Sequence, residues 1–286
     1  MKKIIIFGDS TTAEYGEGAF PQQGWAHFLT GYLNEDVEVK NFARGGYALK
    51  HFIWSQDCLS GKTWEPGYEK SLWHTMILPE VSEGDVVIFY WGGINDMLQT
   101  GRDSYREKNG GNFVRDWQNT SSESYIWIGE GLGTHEFFTV RSDTSEVTVI
   151  LREMIRQVQE KKAEAIVVKG TGKYYAVNGQ DKSVVSVTRR YAEAVIDAAK
   201  ACGCEFFDIA AEMEMEFLQN GFEKTARKYL LPVFTVEKLQ LEKGIEKPLP
   251  PVDDNVHYNF HGAEIICRKL IEQVKQSDSV LNSMLK

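Results

Sequence analysis

The sequence predicts an α/β domain built on a parallel sheet of roughly five strands. Three observations carry that expectation. Short apolar runs rich in β-branched residues recur along the chain, and segments of helical spacing lie between them. Neither an internal repeat nor a low-complexity linker divides the sequence, so a single domain over residues 1–286 is simpler than two.

The strands are expected, in order, at "KKIIIFGD", "VEVKNFA", "GDVVIFYWGG", "EAIVVKG" and "CEFFDIA". Each is a few residues long and rich in apolar and β-branched or aromatic residues. Before the fourth strand, "SEVTVILREMIRQVQEKKA" reads as a crossover helix. Before the fifth, "SVVSVTRRYAEAVIDAAKACG" contains a helical repeat that puts Ala192, Val195, Ile196 and Ala199 on one face and stops at Gly203. A last helix is expected from about His261 through "AEIICRKLIEQVKQ". Two insertions interrupt the series, at about 97–143 and 213–252. The first has turn signals in "NGGN" and "GEGLG" around the candidate strands "YIWI" and "EFFTV". The second carries an amphipathic stretch and then "KPLPPVDD", whose prolines cannot continue a helix and favour an extended backbone up to Asp254.

Charge narrows the partners. With 32 basic and 41 acidic residues the formal net charge is -9, which disfavours nucleic acid and anionic membrane surfaces. The opening "MKKIIIFGDS" has a basic start, but its apolar run is only Ile4 to Phe7, too short for a secretory signal. No stretch approaches the roughly 20 apolar residues that cross a bilayer, so a cytoplasmic protein is expected. Cys58, Cys202, Cys204 and Cys267 lack metal-ligand spacing and are expected to be free thiols.

In open parallel sheets, ligands gather beyond the carboxyl ends of the strands, and Ser10 sits at such an end. A serine hydroxyl becomes a useful nucleophile when a histidine takes its proton and an acid orients that histidine. Of the six histidines, only His257 has an acid at short spacing in a pre-helical segment, Asp254 in "DDNVHYNFHGAE", with Asp253 as a weaker stand-in. Attack on an acyl group also needs donors for the oxyanion. Two stretches offer them. "NFARGGYA" places Gly45 and Gly46 after the second strand, and "YWGGINDM" places Gly93 and Asn95 after the third, with Asp96 available to support the loop. Each piece alone is ordinary turn or capping chemistry.

Together, Gly8-Asp9-Ser10, Gly46, Gly93-Ile94-Asn95-Asp96 and Asp254-Asn255-Val256-His257 resemble, in order, the four blocks of the SGNH hydrolases, also called GDSL-type esterases. The resemblance runs from the first strand to the last helix. It implies a three-layer α/β/α, flavodoxin-like fold. It also implies Ser10 as nucleophile, Asp254 and His257 as its partners, an oxyanion hole from Ser10, Gly46 and Asn95, and supporting roles for Asp9, Gly93 and Asp96. No Gly-x-Ser-x-Gly elbow is present, which argues against the α/β-hydrolase arrangement.

Within that family, "GDST", the run from Asn41 to Gly46 and "DNVHYNFHGA" look most like the rhamnogalacturonan acetylesterase branch, although Tyr47-Ala48 and Val256 depart from its usual Arg-Ser and Thr. The expected activity is removal of acetyl groups from an oligosaccharide, without metal or organic cofactor. Trp64, Trp73, Trp91, Trp117, Tyr125 and Trp127 are candidate sugar platforms, with core packing the competing role of such aromatics. A lipase or thioesterase is the alternative, its acyl pocket drawn from Phe217, Leu218, Phe222, Leu230 and Leu231. A noncatalytic carbohydrate binder is the third reading.

Overall fold

Burial on both faces decides the architecture. The structure, a computed structural model, describes residues 2–53, 71–96, 144–177, 180–186, 188–231 and 254–286. Five strands form the central sheet: β1 (Lys2–Gly8), β2 (Val37–Asn41), β3 (Val86–Trp91), β4 (Glu164–Lys169) and, after the intervening hairpin, β7 (Glu205–Asp208). All pair in parallel, in the order β2-β1-β3-β4-β7.

Alternate side chains of each central strand feed two cores. Ile5 and Phe7, Val87, Phe89 and Trp91, and Ala165 and Val167 face one layer. Helices α1 (Ser145–Glu160) and α2 (Arg189–Cys202) supply most of that layer, joined by Phe52 and Trp73. Ile4 and Ile6, Val86, Ile88 and Tyr90, and Ile166 and Val168 face the other. There they meet the 3-10 helix Trp25–Tyr32 and the helices α3 (Ile209–Asn220), α4 (Phe222–Tyr229) and α5 (Phe260–Lys275). The fold is a three-layer α/β/α sandwich.

Local chemistry ends the elements where the sheet needs them to end. Gly203, with φ of 62°, closes α2 in the left-handed conformation, and its N–H and that of Cys204 satisfy carbonyls of the last turn. Asp208 ends β7 and caps α3 at once by accepting the Ala211 N–H at 2.9 Å. The expected fifth strand is therefore shorter than its apolar run, because Ile209 and Ala210 already belong to the helix.

At two further places the structure departs from the sequence expectation. The start of the expected α2 pattern, "SVVS", is the end of strand β6 (Gln180–Ser186), which pairs antiparallel with β5 (Tyr174–Val177). The segment expected as a pre-helical loop is strand β9 (Asp254–Tyr258), paired antiparallel with the two-residue β8 (Leu230–Leu231). In that pair Leu230 faces Tyr258 and Leu231 faces Asp254, so residues 255–257 bulge out of register. The 97–143 insertion and residues 232–253 lie outside the described residues, as do Cys58, Trp64 and Asp253.

Asn259 joins the bulged strand to its surroundings. Its Oδ1 accepts the Gly262 N–H at 2.8 Å and so caps α5, while its Nδ2 donates to the Leu230 carbonyl at 2.7 Å. The residue is buried, so truncation strands both partners. Asn259→Ala is expected to destabilise the fold by about 2 kcal/mol, combining a lost cap with orphaned backbone groups. Urea unfolding measures this, and an unchanged midpoint would show that the cap does not hold the β8-β9 corner.

Candidate active site

The site lies where the order of the sheet reverses. The chain leaves β1 towards β2 on one side and leaves β3 towards β4 on the other, which opens a crevice beyond the carboxyl ends of β1 and β3. Ser10 comes just after β1 in a tight turn. Thr12 and Ala13 donate their N–H groups to the Asp9 carbonyl at 3.1 Å, and the Asp9 Oδ1 accepts both the backbone N–H and the hydroxyl of Thr11 at 2.9 and 2.6 Å. This turn carries Ser10 beyond the end of the strand.

His257 reaches it from the far end of the chain. Asp254 uses one carboxylate oxygen to accept the N–H groups of Val256 and His257, at 2.9 and 3.0 Å, and the other to accept from His257 Nδ1 at 2.5 Å. An ionised carboxylate only accepts, so Nδ1 carries the ring proton and Nε2 is left as an acceptor. Ser10 Oγ lies 2.7 Å from that Nε2 and donates to it. The bulge at 255–257 makes this possible, since it turns His257 towards the crevice while Tyr258 stays buried below.

Burial and partner charge oppose each other in these groups. Burial disfavours a charged His257, but the hydrogen bond and charge of Asp254, helped by the charge of Asp9, outweigh it and hold the imidazole pKa above 6.5. For Asp254, burial raises the pKa and the contacts with His257 and Val256 more than offset it, so the net direction is down. Asp9 goes the other way: burial dominates the bonds from Thr11 and Gly92 and raises its carboxyl.

The remaining candidates sit on the neighbouring loops. Gly46 has φ of 77°, and a methyl group added at the adjacent Gly45 would lie 3.7 Å from the Ser10 Cβ, so this turn runs directly beside the serine. Arg44 donates its N–H to the Gly8 carbonyl at 3.0 Å and anchors the turn. Asn95 donates one amide hydrogen to the Tyr47 carbonyl at 2.9 Å. Asp96 is buried and accepts the Leu49 N–H and the Trp91 indole N–H. Gly93 also has φ of 77°, and a methyl there would collide with the Tyr191 Cβ. The structure thus gathers Ser10, His257 and Asp254 into one hydrogen-bonded line and places the loops of Gly46, Asn95 and Asp96 around its crevice.

Other residues of the site carry no sequence signal. Tyr15 donates its hydroxyl to the Ser10 carbonyl at 3.0 Å. Lys173, in the loop after β4, is near enough to oppose the charge of His257 and feel that of Asp254; its own pKa is pushed down to about 8 by burial. Below the histidine, the hydroxyls of Tyr90 and Tyr258 meet at 2.7 Å, and Thr171 bonds to Tyr258. Of the sugar-platform candidates, Trp73 and Trp91 are core residues, with their indole N–H groups donated to Gln157 and Asp96. Trp64, Trp117, Tyr125 and Trp127 fall outside the described residues. Phe217, which stacks on Phe222, and Leu230 are likewise buried in the core.

The sequence profile of the GDSL-like lipase/acylhydrolase family matches residues 6–264. Among solved structures, the chain is similar to protein YxiM from Bacillus subtilis, with a TM-score of 0.58 and 20% identity, over 96% of this chain and 56% of that one. It therefore spans little more than half the length of that relative. It is also similar to a variant of Axe2, an acetyl-xylooligosaccharide esterase from Geobacillus stearothermophilus (TM-score 0.49, 16% identity, 96% and 94% covered). The native aryl esterase of M. smegmatis is a third (TM-score 0.49, 15% identity, 96% and 99% covered). No curated protein matches the chain. Among the described residues no helix is long and apolar enough to cross a membrane.

Asp254 is the main influence that raises the His257 pKa, so Asp254→Asn should let burial and Lys173 prevail and bring it below 6.5. Because folding raises this pKa, the imidazole's contribution to stability is full below the unfolded value near 6.5 and is lost as pH rises through the folded one. Titration of the histidine ring protons by NMR measures both proteins, and an unmoved midpoint would deny that Asp254 governs the ring.

Proposed function

The chain belongs to the GDSL-like lipase/acylhydrolase family, and on that premise we propose that it is a serine esterase that removes acetyl groups from acetylated carbohydrate. The observation that carries the reading is the continuous line from Asp254 through His257 to Ser10, with bonds of 2.5 and 2.7 Å. A binding protein has no use for a serine whose proton is already directed at an oriented base.

In the proposed reaction His257 Nε2 takes the Ser10 proton as Oγ attacks the acetyl carbonyl. The negative charge on the carbonyl oxygen is received by the Ser10 and Gly46 N–H groups and by the Asn95 amide. Asp254 holds the tautomer and stabilises the imidazolium. His257 then gives its proton to the departing sugar oxygen, the acyl-oxygen bond breaks, and an acetyl-enzyme remains. Water, deprotonated by the same nitrogen, attacks that ester, releases acetate and returns the proton to Ser10.

A small acyl group suits the surroundings of the serine. The Gly45 turn and Tyr15, which donates to the Ser10 carbonyl, lie directly beside it. Phe217 and Leu230, which a long-chain acyl pocket would need on its wall, are taken up in the core beneath the sheet. Carbohydrate as the alcohol part rests on the resemblance of "GDST" and "DNVHYNFHGA" to the rhamnogalacturonan acetylesterase branch.

Hydrolysis of p-nitrophenyl acetate and butyrate tests the reading, with circular dichroism to check folding. Ser10→Ala is expected to reduce kcat on acetate by about a thousandfold or more in a folded protein. Acetate should be preferred over butyrate. Equal turnover in the variant would overturn the mechanism, while butyrate preference would keep the nucleophile and transfer the substrate to lipids or thioesters.

A further inference from the structure

Two loops must agree in position before an oxyanion hole of the proposed kind can exist, because Gly46 lies after β2 and Asn95 after β3. Two hydrogen bonds of opposite sense run between them. The Asn95 Nδ2 donates to the Tyr47 carbonyl at 2.9 Å, and the Leu49 N–H donates to the Asp96 Oδ1 at 2.9 Å. The other oxygen of Asp96 accepts the indole N–H of Trp91 at 2.5 Å. Trp91 is the last residue of β3 and stacks on Phe7 of β1, with ring centroids 5.3 Å apart and planes at 11°. A line of contacts therefore runs from the strand that bears the nucleophile, through Trp91 and Asp96, to the Gly46 turn.

We propose that Asp96 is a positioning residue that fixes the Gly46 turn against Asn95, and so sets the oxyanion hole relative to Ser10. This inference rests on the esterase reading above. Asp96 is only 5% exposed, and the Leu49 and Trp91 groups on its two oxygens are both N–H donors. A carboxylate offers each of them an acceptor; an asparagine would turn its own N–H groups against one of the donors. The choice of a charged group is expensive, since burial pushes its pKa up to about 7 despite these donors, and the nearby charge of Asp9 adds to the rise. With the Tyr47 bond holding one hydrogen of the Asn95 amide, the second has no partner among the described residues and is available to a substrate oxygen.

The test compares kcat and KM for p-nitrophenyl acetate in wild type, Asp96→Asn, Trp91→Phe, the double variant and Ser10→Ala. A misplaced oxyanion hole weakens only the transition state, so Asp96→Asn is expected to lower kcat by about 10- to 100-fold with KM within about twofold. Trp91→Phe should lower kcat by about threefold. In the double variant the asparagine oxygen accepts from Leu49 while its nitrogen faces a ring without a donor, so kcat should recover at least about threefold over Asp96→Asn. Wild-type kcat in folded Asp96→Asn, a loss confined to KM, or a double variant with multiplied losses would each overturn the inference. Should Asp96→Asn fail to fold, Trp91→Phe decides, and an unchanged kcat there overturns it. Ser10→Ala separates the two claims: an inactive Ser10→Ala beside a fully active Asp96→Asn rejects only the role of Asp96, whereas an active Ser10→Ala rejects the esterase reading itself.

Discussion

A parallel sheet sealed on both faces leaves polar chemistry one exit, the carboxyl ends of its strands. In this molecule Ile4 to Phe7 and Val86 to Tyr90 are wholly buried, and no charged residue lies within either run. Asp9, Ser10, Asn95 and Asp96 all appear within a few residues of where those strands stop. Since β1 and β3 are neighbours with connections that depart in opposite directions, their ends cannot be closed over by their own loops. The crevice is a result of the strand order, and the side chains only furnish it.

Three carboxylates stand around that crevice, and their surroundings give them different tasks. Asp254 faces an imidazole whose contacts pull its pKa below the usual carboxylate value. Burial raises the pKa of both Asp9 and Asp96, and each spends its oxygens on neutral donors: the Thr11 N–H and hydroxyl for Asp9, the Leu49 and Trp91 N–H groups for Asp96. Identical chemistry thus yields one acid able to stabilise positive charge and two that act as struts. The division comes from desolvation against partner charge, since all three accept hydrogen bonds from backbone N–H groups.

Much of this is legible in the sequence because it is local. Three of the five sheet strands, β1, β3 and β4, carry continuous apolar runs, and Gly203 marks the end of α2 through its backbone alone. The Asp254 and His257 pair can be read because a three-residue spacing suffices for contact in any bent segment. What the sequence hides is set by partners distant along the chain. "SVVS" reads as the start of a helix because its strand character depends on pairing with residues 174–176. Strand β9 exists only through a two-residue partner at 230–231, and nothing in "DDNVHY" announces the bulge. Tyr15 and Lys173 reach the site by loop geometry, with no motif to mark them. Trp91 reads as strand or platform, and its bond to Asp96 emerges only from the fold.

The strand that carries His257 docks through Tyr258, whose hydroxyl joins those of Tyr90 and Thr171 in the core. Serine and histidine are 247 positions apart, so the contact between them is among the most non-local in the chain. On a ribosome, β1 and its serine emerge well before β9 is made. Until β9 has been made and has locked in place, Ser10 lacks its proton acceptor and behaves as an ordinary alcohol. The Ser10–His257 contact is therefore made only once distant parts of the chain have folded together, and a copy in which β9 has not docked lacks it.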